Sequence, residues 1–230
     1  MRKILIAGGD SNTEPNKWKM WPELLADKLD MDFVNLGKSG QGNEYIFNTT
    51  IEEIHKHDNI GLVVVGWSTA PRRDYLIDKQ WYANRWDEKG NSDYFIKRTL
   101  QFQYSFQSIC QNLKIPYLQF CSLMPWNEPV GFSCGYKGVT PDEVWPEAGD
   151  TAITKLKWIE KFTKETLFSK IDDNHFYGWP GFKELGGLSV VDEVPMNERI
   201  SEQDLHPNAK GQETITEMLY EKVNELNKLH

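Results

Sequence analysis

The sequence predicts one α/β domain over residues 1–230, built as a three-layer α/β/α sandwich around a mostly parallel sheet of about five strands. Short apolar segments alternate with longer segments of helical periodicity, an order that is typical of βαβ units. Residues 62–66 are a continuous apolar run, as in a parallel strand buried on both faces. A chain of 230 residues is long enough to bury a core of this kind.

The first half of the chain contains three predicted strands. Residues 4–7 are apolar and end in two glycines, which predicts a strand followed by a tight turn. Residues 21–29 have helical spacing, with a proline that is tolerated in the first turn, and residues 33–36 predict the second strand. Helical spacing over residues 47–54 then precedes the third strand at residues 62–66.

The second half begins with a segment that has no clear periodicity. Residues 70–91 are rich in charged and aromatic side chains, and we interpret them as a loop excursion over the ligand-binding edge of the sheet. The excursion is either a lid or substrate platform, or a plain surface flap. The remaining predicted elements are a helix at residues 92–113, a fourth strand at 116–121, a second excursion at 125–150, a helix at 150–170, an irregular segment at 172–194 and a last helix after Pro207.

Composition narrows the classes of function. A net charge of -8 and a pI near 5.2 disfavour binding to nucleic acid or to an anionic membrane. No apolar run has the length of a signal-peptide core or a membrane-spanning helix, so we expect a cytoplasmic protein without membrane insertion. The 3 cysteines and 5 histidines lack metal-ligand spacing, which predicts no metal, no cofactor and no disulfide framework. The oligomeric state stays open.

Ser11 is the first candidate functional residue. It follows the first strand and a glycine turn whose backbone freedom allows a hydroxyl to be lifted out at the carboxyl end of the strand. In open α/β sheets that edge is where ligands bind. The alternative is that Ser11 only caps a helix, because serine is a common N-cap residue. From this segment alone, the cap is the favoured interpretation.

Other candidates follow the next strands and precede the last helix. The turn after the second strand contains Gly40, whose amide is either an oxyanion donor or simply part of a tight turn. Ser68 follows the third strand and is expected at the same edge of the sheet. His206 lies just before the last helix and two residues after Asp204, so the two residues are a candidate base and orienting acid.

Ser133 is a competing candidate for the nucleophile. Residues 131–135 match the letters of the G-x-S-x-G nucleophile elbow, which requires a strand before the serine and a helix after it. Here prolines precede the segment, and a glycine and a proline follow it. We therefore interpret Ser133 as a loop residue.

Taken together, these segments resemble the sequence blocks of the SGNH hydrolases, also called GDSL-type esterases. The resemblance is carried by Gly9-Asp10-Ser11, Asn35-Leu36-Gly37-Lys38-Ser39-Gly40, Gly66-Trp67-Ser68 and Asp204-Leu205-His206-Pro207. The blocks occur in the order of the family and span nearly the whole chain. The resemblance implies a flavodoxin-like SGNH fold, Ser11 as nucleophile, His206 as general base, and the Ser11 and Gly40 amides as oxyanion donors.

Two positions depart from the pattern of the family. The third block usually supplies an asparagine as oxyanion donor, and this chain has the shorter Ser68. The acid usually lies three residues before the histidine, where this chain has Gln203, with Asp204 one place nearer. Asp204 either orients His206 in a triad or points to solvent and leaves a Ser–His dyad. Both departures together also allow a fold that has lost its activity.

The leading hypothesis is a serine hydrolase that cleaves a carboxylic ester through an acyl-enzyme. The resemblance suggests a small-molecule or glycan ester carrying an acetyl group, and tryptophans at positions 81, 86, 126 and 179 fit a sugar-binding platform. The alternatives are a catalytically impaired binding or virion accessory module and, more remotely, a nucleotide-binding protein. The chain is also similar to SGNH-type proteins of tailed phages, mainly in residues 66–68 and 204–211, so virion association is an alternative setting.

Overall fold

Seven strands and five α-helices form the main elements of this computed structural model, which describes residues 2–84, 91–126 and 155–228. The strands are β1 (Ile4–Gly8), β2 (Asp32–Asn35), β3 (Ile60–Trp67), β4 (Arg73–Ile77), β5 (Gln80–Asn84), β6 (Tyr117–Cys121) and β7 (Phe176–Tyr177). The helices are α1 (Trp21–Leu29), α2 (Asn43–Ile54), α3 (Ser92–Leu113), α4 (Lys155–Lys164) and α5 (Ala209–Asn227).

Five of the strands form one parallel sheet in the order β2-β1-β3-β6-β7. In β1, Leu5 pairs with Phe33 of β2 on one side and with Leu62 of β3 on the other. Because the strands are parallel, their carboxyl ends share one edge of the sheet. The turns that follow β1, β2 and β3 therefore meet at that edge, and they contain Ser11, Gly40 and Ser68.

The central strands alternate their side chains between two helical layers. One face buries Leu5 and Val64 against α1 and α5, and the opposite face buries Ile6 and Val63 against α2, α3 and α4. Side chains at successive strand positions point to opposite faces, so strands that are apolar throughout require helices on both sides. The predicted three-layer α/β/α sandwich around a parallel sheet is confirmed.

The sequence-based element boundaries are correct for α3, extend too far for α4 and miss two short elements. The helix predicted at residues 150–170 ends at Lys164 and is followed by a separate 3-10 helix at Phe168–Lys170, while residues 150–154 lie outside the described part of the chain. The helix predicted at residues 92–113 matches α3. Residues 172–194 were predicted to be irregular, but they contain β7, the fifth strand of the sheet, which has only two residues and so no readable periodicity. The excursion predicted at residues 70–91 contains the antiparallel hairpin of β4 and β5. Most of the predicted excursion at 125–150 lies outside the described residues, as does Ser133.

Candidate active site

Three side chains from two distant segments form a continuous chain of hydrogen bonds. The Nε2 atom of His206 lies 2.9 Å from the Oγ atom of Ser11, and its Nδ1 atom lies 2.6 Å from the Oδ1 atom of Asp204. A hydrogen on Nδ1 donates to the carboxylate, and Nε2 then accepts the hydrogen of the Ser11 hydroxyl. This is the arrangement of a nucleophile, a base and an orienting acid.

Asp10 shapes the turn that presents Ser11. Its side chain is fully buried, and its Oδ1 atom accepts hydrogen bonds from the Asn12 amide at 3.0 Å and from the Ser122 hydroxyl at 3.1 Å. Ser122 directly follows β6, so the turn after β1 is fastened to another strand end. These hydrogen bonds to the buried carboxylate hold the backbone on both sides of Ser11 in place.

Ser11 does not cap the first helix. The N-cap of α1 is Met20, nine residues further along the chain, and no side chain caps that end. Within the described residues, the backbone amides of Ser11 and Gly40 donate no hydrogen bond to the protein. An oxyanion hole requires N–H donors that are not already used, so both amides have the property that the chemistry needs.

Asn35, the last residue of β2, ties the Gly40 loop to the Ser11 segment. Its Nδ2 atom donates to the Thr13 carbonyl oxygen at 2.7 Å, and its Oδ1 atom accepts from the Gly37 amide at 2.8 Å. A Cβ atom at Gly37 would lie 2.5 Å from the Thr13 carbonyl carbon, so the two loops approach too closely for a side chain there. Gly40 has a φ of 76°, in the left-handed region that favours glycine.

The turn before α5 brings Asp204, and not Gln203, to the histidine. The Ser201 amide donates to the Asp204 carbonyl oxygen at 3.0 Å, and the Ser201 hydroxyl accepts from the Asp204 amide at 2.9 Å. The Ile200 amide in turn donates to the His206 carbonyl oxygen at 2.9 Å. This tight turn explains how an acid two residues before the histidine reaches its ring.

Arg199 and Asn208 anchor the histidine segment on both sides. The Arg199 guanidinium donates to three carbonyl oxygens, one of which is that of Leu205 at 2.8 Å. Asn208 is the N-cap of α5, and its Nδ2 atom donates to the Arg199 carbonyl oxygen at 2.9 Å. Reasoning from the sequence missed both roles, although an asparagine just before a helical pattern is a recognisable N-cap signal.

Asp204 and His206 have half-exposed side chains, with relative exposures of 47% and 48%. The hydrogen bond from His206 holds the pKa of the Asp204 carboxyl below its usual value, so this group stays ionised in mild acid. Solvent screens the charge of a carboxylate that is exposed to this degree. We therefore expect Asp204 to act more by orienting the imidazole than by stabilising its positive charge.

Ser68 is buried directly after β3 and is held by Asn43. The Ser68 amide donates to the Oδ1 atom of Asn43 at 2.8 Å, and the Nδ2 atom of Asn43 donates to the Ser68 carbonyl oxygen at 3.1 Å. The Ser68 hydroxyl accepts a hydrogen bond from the Nη1 atom of Arg72 at 2.8 Å. The sequence thus correctly places Ser68 at the edge where Ser11 lies, but it does not indicate the contact with Arg72.

The hairpin of β4 and β5 packs on the loop between β2 and α2. The buried Asp74 carboxylate accepts from the amides of Gly42 and Tyr45, both at 2.8 Å, and so caps α2, whose N-cap glycine has no side chain. The Nζ atom of Lys38 donates to the Trp81 carbonyl oxygen at 3.1 Å. The hairpin therefore holds the loop that contains the predicted oxyanion glycine.

Removing the Asp74 carboxylate is expected to destabilise the protein. Asp74→Ala leaves two buried amides without acceptors, which costs about 1–3 kcal/mol for each amide. We expect a fall of about 3 kcal/mol in the free energy of unfolding, measured by urea denaturation, with a smaller fall for Asp74→Asn, which keeps one acceptor oxygen. Asp78→Asn, in the exposed turn of the same hairpin, is the matched control. Equal unfolding free energies for Asp74→Ala and the control would contradict the capping role.

The tryptophans proposed for a sugar platform are largely engaged in packing. Trp81, Trp126 and Trp179 are partly buried against the hydrophobic core. Trp81 makes an edge contact with Tyr45, with 5.7 Å between the ring centroids, and Trp179 contacts a cluster of phenylalanines. Trp86 lies outside the described residues. The described rings therefore offer only part of their surface to a ligand.

Neither of the two cysteines in the described residues is an activated nucleophile. Cys110 and Cys121 are buried free thiols, and burial raises the pKa of Cys110 to about 12 and that of Cys121 above its usual value. A thiol with a raised pKa has little of the reactive thiolate form at neutral pH. The described part of the chain contains no cluster of three or more potential metal ligands and no helix long and apolar enough to cross a membrane.

Solved structures of GDSL-type and SGNH hydrolases share this architecture. The psychrotrophic esterase EstA from Pseudoalteromonas sp. is 13% identical, with a TM-score of 0.54 over 98% of this chain and 99% of that chain. A candidate SGNH hydrolase from Slackia heliotrinireducens is 11% identical, with a TM-score of 0.52 over 97% of this chain and 100% of that chain. A member of the lipolytic G-D-S-L family from Veillonella parvula is 12% identical, with a TM-score of 0.50 over 95% of this chain and 97% of that chain.

Comparison of the sequence alone finds no such relatives. No protein-family profile matches the chain, and no curated protein matches it by sequence. At identities of 11–13%, similarity between structures is informative about the fold and not about the substrate. By its topology and by these similarities, the chain has the fold of the SGNH, or GDSL-type, hydrolases.

Proposed function

We propose that the protein is a serine hydrolase that cleaves a carboxylic ester through an acyl-enzyme. The observation that carries the proposal is the hydrogen-bond chain from Asp204 through His206 to Ser11, with distances of 2.6 and 2.9 Å. A serine hydroxyl is a weak nucleophile until a neighbouring imidazole takes its proton. A fold that served only for binding does not require this alignment, so the geometry favours the hydrolase over the binding module.

The reaction follows from the positions of these groups. The Oγ atom of Ser11 attacks the ester carbonyl carbon while His206 takes the hydroxyl proton, and the carbonyl oxygen becomes an oxyanion. The amides of Ser11 and Gly40 donate to that oxygen, and Ser68 marks the third oxyanion position. His206 then gives the proton to the departing alcohol, which leaves an acyl group on the Ser11 oxygen. Water, deprotonated by His206, releases the acid and restores Ser11.

The proposed substrate is an acetyl ester on a carbohydrate or a similar small molecule. Its support is the resemblance of the sequence blocks to those of GDSL-type esterases. The exposed location of His206 and Asp204 agrees with a site that is open to a soluble ester. A phage origin and virion association remain predictions from the sequence, and none of the similar structures reported above supports them.

A fluorophosphonate probe tests the proposal directly. The probe phosphonylates only an activated serine, so we expect one adduct by intact mass on the wild-type protein and none on Ser11→Ala. Ser133→Ala is the matched control, because it removes the competing serine and should keep the adduct. For comparison, the Pseudoalteromonas esterase has a structure inhibited by monoethylphosphonate. No adduct on folded wild-type protein would support the binding module instead, and an adduct that persists in Ser11→Ala would implicate Ser133.

A further inference from the structure

We propose that Arg72 is a further catalytic residue, whose guanidinium donates to the oxyanion at the position where the family uses asparagine. The inference rests on the proposed function, because it assigns a role in the same ester cleavage. Ser68 alone is a poor donor at this position. Its hydroxyl belongs to a side chain shorter than asparagine, and the residue is only 1% exposed.

One nitrogen of Arg72 contacts all three of the segments that follow β1, β2 and β3. Its Nη1 atom lies 2.8 Å from the Ser68 Oγ atom, 3.3 Å from the Gln41 carbonyl oxygen and 3.5 Å from the Oδ2 atom of Asp10. Gln41 directly follows Gly40, and Asp10 directly precedes the nucleophile. The guanidinium therefore lies where the segments after β1, β2 and β3 converge, and its side chain remains 16% exposed.

The position of Arg72 is fixed before any substrate arrives. Its carbonyl oxygen accepts a hydrogen bond from the Nη2 atom of Arg98, a buried residue of α3. A Cβ atom on Gly42 would lie 2.7 Å from the Cβ atom of Arg72, so the arginine packs directly against the loop after β2. Donors held in place before the reaction need no reorganisation when the negative charge develops, and this property makes an oxyanion site effective.

The guanidinium of Arg72 is chemically suited to donate a hydrogen bond to the oxyanion. When the Ser11 oxygen bonds to the carbonyl carbon, the π electron pair of the carbonyl moves to its oxygen. One Nη1 hydrogen of Arg72 stays on Ser68, and the other, whose contacts with Gln41 and Asp10 are long at 3.3 and 3.5 Å, donates to the oxyanion without transferring its proton. A hydrogen bond from a charged donor is about twice as strong as one between neutral groups. An arginine that is hydrogen-bonded to Ser68 can therefore replace the hydrogen-bond donor that the asparagine amide would supply. In this arrangement Ser68 orients the guanidinium, and the guanidinium contacts the oxyanion.

Arg72→Met keeps much of the length and packing of the side chain while it removes every N–H donor. It also removes the positive charge that lies 3.5 Å from the buried Asp10 carboxylate, so circular dichroism must first show that the variant folds. The buried Asp10 carboxylate retains hydrogen bonds from the Asn12 amide, the Asn12 side chain and the Ser122 hydroxyl. If Arg72→Met does not fold, Arg72→Gln replaces it in the test, because its amide can still contact the Ser68 hydroxyl but carries no charge.

The test measures kcat/KM for p-nitrophenyl acetate and the inhibition constant of phenylboronic acid, which forms a tetrahedral, negatively charged adduct on an active serine. For Arg72→Met we expect kcat/KM to fall by about ten- to a hundredfold and boronic acid binding to weaken by a similar factor. Arg72→Lys, which keeps a positive charge, should recover part of both losses. Ser68→Ala should lose less than Arg72→Met. Arg2→Gln, at the opposite edge of the sheet where Arg2 pairs with Asp30, is the matched control.

The outcomes separate this inference from the proposed function. If the wild-type protein neither hydrolyses the ester nor reacts with a fluorophosphonate, the proposed function fails and the role of Arg72 fails with it. If the wild type is active and a folded Arg72 variant without a positive charge stays within about threefold of it, the role of Arg72 alone is overturned. A larger loss in Ser68→Ala than in Arg72→Met would also overturn it, because Ser68 would then be the donor.

Discussion

Replacing His206 by glutamine is expected to lower kcat for ester hydrolysis by about a thousandfold. Glutamine can occupy the place of the imidazole and hydrogen-bond to Ser11, but it cannot take a proton at neutral pH. Without a base, the serine hydroxyl remains a weak nucleophile, and the oxyanion donors provide the remaining rate enhancement. Steady-state kinetics with p-nitrophenyl acetate would measure the loss.

The loss should come from chemistry and not from unfolding. The side chain of His206 is 48% exposed, and substitutions at such surface positions usually change the free energy of unfolding by less than about 0.5 kcal/mol. His55→Gln is the matched control, because His55 is exposed at the end of α2, away from the site. A His206→Gln protein that keeps more than about a tenth of the wild-type kcat would remove His206 from the role of general base.

Two substitutions of Asp204 are expected to separate orientation from charge. The Oδ1 atom of Asp204 contacts both the Nδ1 atom of His206, at 2.6 Å, and the His206 amide, at 3.2 Å. The Asp204→Asn variant would keep an oxygen for both contacts and lose only the charge, which solvent partly screens at 47% exposure. Because the lost charge is screened while the oriented contacts remain, we expect kcat/KM to fall by about tenfold in Asp204→Asn and by about a hundredfold in Asp204→Ala.

The same pair of variants distinguishes the triad from the dyad. Wild-type kcat/KM in both Asp204 variants would indicate a Ser–His dyad, in which Asp204 is only a neighbour. Equal losses in both would show that the negative charge, and not the orientation of the ring, is what matters. Asp58→Asn is the matched control, since Asp58 is exposed in the turn before β3, at the opposite edge of the sheet.

The pH dependence of the wild type and of Asp204→Asn adds a second measurement. The hydrogen bond from His206 lowers the pKa of the Asp204 carboxyl, so Asp204 stays ionised in mild acid. Protonation of Asp204 should therefore add no step to the acid limb of the kcat/KM profile in that range. We expect the limb to contain the same number of protonation steps in the wild type and in Asp204→Asn. An additional step that is present in the wild type and absent from Asp204→Asn would contradict this expectation.

The lowered pKa of Asp204 also determines how this residue affects the stability of the folded protein at different pH values. The ionised carboxylate favours the folded state at pH values above its unfolded-state pKa, and this contribution is lost only as the pH falls through the lower folded-state pKa. Because the side chain is half exposed, the contribution is small. Protonation of Asp204 alone should therefore cause little loss of folded protein, measured by circular dichroism as the pH is lowered.

The sequence by itself determined the architecture and the common edge of the candidate site. Apolar runs such as residues 62–66 alternate with helical patterns, and this periodicity specifies parallel strands covered on both faces. Parallel strands end at one edge, so the turns containing Ser11, Gly40 and Ser68 had to meet there. These inferences needed only local patterns and the geometry of a parallel sheet.

Tertiary structure alone decided which acid reaches His206 and which side chain hydrogen-bonds to the Ser68 hydroxyl. The choice of Asp204 over Gln203 depends on a turn closed by the Ser201 hydroxyl. The contact of Arg72 with Ser68 depends on packing between the hairpin, α3 and the loop after β2. Such contacts join groups whose spacing in the sequence carries no periodic signal, because side-chain hydrogen bonds are set by where the folded backbone places each group.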